Sequence, residues 1–142
     1  MVRVLATGTF DILHPGHVKY LSESRRLGDE LFVIVARKDM VHHKPNPFLP
    51  EEQRLAMVEA LGVVDHAVLG DVEDMFRPVH EIRPDIVTLG YNQHFDEEKL
   101  SEQLKRAGIH VRVVRINDYT QCKLCSTRAI IRRVQRASMT NK

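Results

Sequence analysis

Short β-branched runs alternate along this chain with segments of helical periodicity, and that alternation limits the fold more than any other feature. Residues 2–6, 31–36, 67–69, 86–89 and 111–116 read as five strands. Between and after them, helices fit 15–27, 50–61, 72–82, 96–107 and 126–136. The helical readings rest on spacing, as in Leu55, Val58 and Leu61, or Leu100, Leu104 and Ala107, which place apolar groups on one face. Pro15, Pro50 and Pro84 stand at element starts, and Gly28, Gly62 and Gly108 follow helices where a left-handed residue is cheapest.

Strand-helix-strand repeats require right-handed crossovers, so the expected architecture is one α/β domain over residues 1–142. It has a five-stranded parallel sheet with helices on both faces, Rossmann-like in its winding. At 142 residues and 43% hydrophobic content, one core is expected. Ligands of such sheets lie beyond the carboxyl ends of the strands where the winding reverses, here the loops after Ala6 and Leu89.

Net charge of +2 gives no basis for nucleic acid as partner, which needs concentrated Lys and Arg. Arg128, Arg132 and Arg136 form a stripe on the last helix without interleaved aromatics, a pattern expected of a solvated face. No stretch approaches the roughly 20 apolar residues of a membrane span, and the start lacks a signal peptide's pattern. The expected location is cytoplasmic, with no membrane partner. In that reducing setting Cys122 and Cys125 are expected as thiols, redox-active or metal-related, rather than as a structural disulfide. Two ligands are too few for a closed zinc site.

The first strand runs into Gly8–Thr9–Phe10–Asp11–Ile12–Leu13–His14–Pro15–Gly16–His17, with Pro15 placed to open a helix. A helix start offers unpaired N–H groups and a positive dipole end, and Gly8 and Gly16 let phosphate oxygens approach the main chain. His14 and His17, three apart at that start, can donate to one phosphate. In an in-line attack on an α-phosphorus such donors stabilise the charge that builds on the equatorial oxygens and the departing pyrophosphate. A lone histidine near a strand end is usually a satisfied structural side chain; the strand, the glycine, the aromatic residue and His-x-Gly-His together are specific.

This segment resembles the signature Gly-x-Phe-Asp-x-x-His-x-Gly-His of the cytidylyltransferase-type nucleotidyltransferase superfamily. The similarity extends through Leu27–Gly28–Asp29–Glu30, Pro50–Glu51–Glu52–Gln53–Arg54, Val64–Asp65, Pro84–Asp85 and Leu89–Gly90. Phe95–Asp96–Glu97–Glu98 and the cysteine-bearing C-terminal stretch resemble the archaeal FAD synthase branch, which adenylates FMN. The resemblance implies ATP and FMN as substrates, a divalent cation, Mg²⁺ above all, carried on the ATP, and a homodimer. It implies triphosphate contacts at His14 and His17, and an ammonium at Lys44 folding over the phosphates. Where glycerol-3-phosphate cytidylyltransferases carry Arg-Thr-Glu-Gly-Ile-Ser-Thr, this chain reads Tyr119–Thr120–Gln121–Cys122–Lys123–Leu124–Cys125–Ser126–Thr127, sharing only Ser126 and Thr127. A cytidylyltransferase for an alcohol phosphate, and a noncatalytic nucleotide sensor on the same fold, are the rival readings.

The remaining candidates each carry a plainer alternative. Lys44 lies in a proline-interrupted loop and could be a solvated cation; His42 and His43 beside it are adjacent and make poor joint ligands. Arg54 could hold a phosphate bidentately or pair with Glu51 on the helix surface. Ser126 and Thr127 could cap the last helix, face the β- and γ-phosphates, or both. Asn92 at the switch point could hydrogen-bond the nucleotide, Tyr119 could border the base, and both could be ordinary loop or packing residues. Thr9, Phe10, Pro15 and Gly16 belong to the nucleotide-binding segment, and Asp11 either orients it or reaches a metal-bound water.

Overall fold

The structure, a computed structural model, describes residues 1–41, 46–91, 93, 95–118 and 122–140. Five strands, β1 (Arg3–Gly8), β2 (Glu30–Val35), β3 (His66–Leu69), β4 (Ile86–Gly90) and β5 (Arg112–Ile116), form one sheet in the order β3-β2-β1-β4-β5. Every pairing is parallel. The helices are α1 (Pro15–Arg25), α2 (Glu51–Glu59), α3 (Arg77–Ile82), α4 (Glu97–Arg106) and α5 (Thr127–Thr140), with a short 3-10 turn over Lys38–Met40.

Alternation along the strands splits the core in two. Val4 and Ala6 of β1 join Leu31, Val33 and Val35 of β2 under Leu21 of α1 and Val58 of α2. Leu5, Val87 and Leu89 face the other way, onto Val79 and Ile82 of α3 and Leu100 and Leu104 of α4. Helices therefore cover both faces, as the alternation predicts, because a parallel sheet must bury both. The winding reverses between β1 and β4, which sets the loops after these two strands side by side.

Three aspartates explain part of the sequence similarity without chemistry. Asp29 accepts the N–H of Val2, Asp85 that of Arg3 and Asp65 that of Leu31, each at about 2.8 Å or less. All three pair donors at the amino ends of strands, opposite the ligand end, so they hold the sheet.

Three expectations are corrected. The helix expected over 72–82 begins only at Arg77. Asp71 accepts the N–H groups of Glu73 and Asp74, and Asp74 accepts that of Phe76, so local carboxylates take the donors a helix would need. Among the three glycines expected to be left-handed, only Gly108 is, at φ 81°. Gly28 serves space instead, since a Cβ there would lie 2.7 Å from the carbonyl oxygen of Val2. Finally, Cys122 and Cys125 form a disulfide in place of free thiols or metal ligands; the turn between them brings their Cα atoms to 5.3 Å, within bridging range.

Candidate active site

His14 is the N-cap of α1, and the two histidines close a reciprocal capping box. Nδ1 of His14 accepts the N–H of Gly16 at 3.0 Å, and Nδ1 of His17 accepts the N–H of His14 at 3.3 Å. Serine and glutamate ordinarily fill these two positions. Imidazoles that accept at Nδ1 carry their neutral-state proton on Nε2, so the cap sets the tautomer of both rings as Nε2 donors. Their centroids are 3.8 Å apart, close enough for one phosphate group to meet both. Gly16 is required here: a Cβ would come within 2.8 Å of Cε1 of His14.

Burial holds the His14 pKa below the ordinary imidazole value. For a base whose folded pKa is lowered, the stabilising contribution is present above the unfolded value and is lost as pH falls through the folded one. Acid should thus break the Gly16–His14 cap and loosen the start of α1. An NMR pH titration should show the His14 ring titrating below a free imidazole; a midpoint at or above the free value would contradict the capped, neutral state.

The preceding loop is strained. Phe10 is buried with φ 51°, a left-handed conformation that costs a bulky residue on the order of 1–3 kcal/mol. Its ring packs over Gly8, where a Cβ would lie 2.8 Å from the ring, and sits 5.3 Å from the His17 ring. Asp11 accepts the N–H groups of Phe48 and Leu49 at 2.7 and 2.8 Å, so it fastens the segment before α2 to the histidine loop. The carbonyl of Thr9 is held by Arg54.

Arg54 neither lies on the surface of α2 nor pairs there with Glu51, which instead bonds Arg37 at 2.6 Å. Its side chain is fully buried, and Nε donates to Leu49 while Nη1 donates to Thr9 and Ala36. Nη2 has no hydrogen-bond partner among the described residues. In this arrangement Nε and Nη1 of the guanidinium bind main chain around the histidine loop.

The last helix meets the same loop. Thr127 donates from Oγ1 to the carbonyl of Ile12 at 3.2 Å, and Ser126 caps α5 by accepting the N–H of Ala129 at 3.0 Å. A Cβ on Gly16 would lie 3.3 Å from the carbonyl oxygen of Cys125, so the starts of α1 and α5 adjoin. Lys44, His42, His43, Asn92 and Tyr119 lie outside the described residues. Arg128, Arg132 and Arg136 are exposed.

Sequence reasoning passed over a polar seam beneath the site. Tyr20 of α1 is half-buried with its hydroxyl 3.0 Å from the carbonyl of Thr88, and Ser24 meets the Thr88 hydroxyl at 2.8 Å. Burial pushes the Tyr20 pKa up to about 12, keeping it a neutral donor. Polar Thr88 inside an otherwise apolar strand was the available signal. Gln93 bridges the two loops, donating to the carbonyl of Thr7 and accepting the N–H of Gly90.

This geometry has relatives. Residues 5–133 match the family model described as cytidylyltransferase-like. The chain is 64% identical over 134 residues to the FAD synthase of Methanoculleus marisnigri, covering 94% of this chain and 89% of that one. It is 58% identical to the FAD synthase of Archaeoglobus profundus, covering 94% and 86%. Among solved structures, a lipopolysaccharide core biosynthesis protein of Thermoplasma volcanium superposes with a TM-score of 0.80 at 50% identity, over 84% of this chain and 99% of that one. The chain belongs to the cytidylyltransferase-like family, as a nucleotidyltransferase with archaeal FAD synthases among its relatives.

Proposed function

We propose that the chain transfers AMP from ATP to FMN. A phosphate oxygen of FMN attacks the α-phosphorus of ATP, a new P–O–P bond forms, and the bond to the departing pyrophosphate breaks, giving FAD. The observation that carries this reading is the capped imidazole pair at the start of α1, with both rings fixed as Nε2 donors at a helix start. A phosphate monoester is already ionised near neutral pH, so alignment and charge stabilisation outweigh proton transfer.

On this reading His14 and His17 meet the transferring phosphate and Lys44 closes over the triphosphate. Thr9, Phe10, Pro15 and Gly16 shape the loop around it, and Ser126 and Thr127 face its outer phosphates. Asn92 and Tyr119 border the nucleoside. A divalent cation, Mg²⁺ in the first instance, enters on the triphosphate as part of the substrate and neutralises charge on the leaving group. The chain acts as one domain, in the cytoplasm, as a homodimer.

Purified protein incubated with Mg²⁺, FMN or glycerol 3-phosphate, and ATP or CTP should release pyrophosphate and form FAD only with FMN and ATP. A CDP-alcohol product would transfer the assignment to an alcohol phosphate cytidylyltransferase. Nucleotide binding with no product in any combination would leave a sensor.

A further inference from the structure

Arg115 sits on β5 among apolar residues, and its side chain is mostly covered. Its guanidinium reaches into the segment that joins β4 to α4. Nη1 donates to the carbonyls of Gly90 at 2.7 Å and Gln93 at 3.0 Å, Nη2 donates to the carbonyl of Phe95, and Nε meets Glu97 at 2.8 Å. One planar fork therefore holds three main-chain carbonyls and a carboxylate across eight residues. A lysine, with a single nitrogen, cannot span them.

The held segment is one wall of the switch-point crevice, and it is tied to the other wall. Gln93, gripped through its carbonyl by Arg115, donates from Nε2 to Thr7 at 3.0 Å and accepts from Gly90 at 2.6 Å. Thr7 leads directly into the strained loop and the histidine pair. At the opposite end of the sheet, single aspartate caps hold the strand starts. The multidentate brace stands at the ligand end, where Tyr91 and Phe95 are exposed.

We propose that Arg115, acting through Gln93, is a positioning residue for nucleotide binding. It holds the main chain at Gly90, Gln93 and Phe95 at a fixed separation from the histidine loop, so that the crevice is formed before ATP arrives. The proposal rests on the reading of the crevice as the ATP site. Loss of the brace should appear in binding, because the wall must then be ordered by the nucleotide itself, while the phosphate donors on α1 stay in place.

Arg115→Met, Arg115→Lys and Gln93→Leu in the full chain test this. Each is assayed for FAD formation with ATP and FMN varied separately, and for calorimetric binding of a nonhydrolysable ATP analogue, with Tm followed in parallel. Arg115→Met is expected to raise KM for ATP and the analogue's Kd about tenfold with kcat changed less than about threefold. Arg115→Lys should give little rescue, and Gln93→Leu the same signature at smaller size. Unchanged analogue affinity in folded Arg115→Met and Gln93→Leu proteins, or a KM change confined to FMN, would overturn it. If no FAD forms with any variant or the parent but analogue binding still weakens, the positioning role stands and the proposed reaction falls.

Discussion

Replacing His17 with alanine is expected to lower kcat for FAD formation by about two to three orders of magnitude, the loss typical of removing one donor to developing oxyanion charge. The effect should fall mainly on kcat, because the bond to the phosphate strengthens as charge accumulates between ground and transition state. His17 also accepts the N–H of His14, so the substitution removes part of the helix cap, a loss of about 1 kcal/mol that appears in Tm. The two effects separate in His17→Asn, whose amide oxygen can still accept that N–H but which lacks the ring Nε2 donor: stability should largely return and activity should not. His14→Ala combined with His17→Ala should lose less than the product of the single losses, since the rings act on one group. A near-normal kcat in His17→Ala would remove this residue from the chemistry.

The layered fold was legible because burial on both faces of a parallel sheet writes itself into β-branched runs and i, i+3, i+4 spacing, as in Leu100 and Leu104. The histidine pair was legible because a helix start, two glycines and two imidazoles fall within ten consecutive residues. Long-range polar contacts were not. By sequence Arg54 reads as a phosphate contact or a surface partner of Glu51, and Arg115 carries no reading, since nothing local reveals that each reaches carbonyls of segments distant in sequence, at Thr9 and Ala36 for one and Gly90 and Gln93 for the other. Arg115 did leave a trace, a charge inside a β-branched run. Arg54 left none, because its helix position is set by what the preceding loop needs. The late start of α3 was hidden for a related reason: Asp71 and Asp74 are compatible with a helix by pattern, and only their capture of nearby N–H groups decides against it.

The largest loss of stability should follow Arg54→Ala. The substitution empties a fully buried site and strands the carbonyls of Leu49, Thr9 and Ala36. Unpaired buried polar groups and the cavity together are expected to remove about 3–5 kcal/mol. Arg54→Met, which restores much of the volume but no donors, should recover only the cavity part. Urea denaturation of the three proteins gives the ordering directly; an alanine variant within about 1 kcal/mol of the parent would show that the carbonyls find water or other partners. The consequence reaches the site by a short path. Thr9, held by Arg54, immediately precedes Phe10, whose left-handed backbone is tolerated only while its surroundings hold it, and Phe10 packs beside the His17 ring. Release of the Thr9 carbonyl lets Phe10 relax toward negative φ, which withdraws the ring from Gly8 and His17 and blurs the donor geometry at the phosphate. Arg54→Lys, which can keep one of the three bonds, should therefore lose activity more steeply than stability.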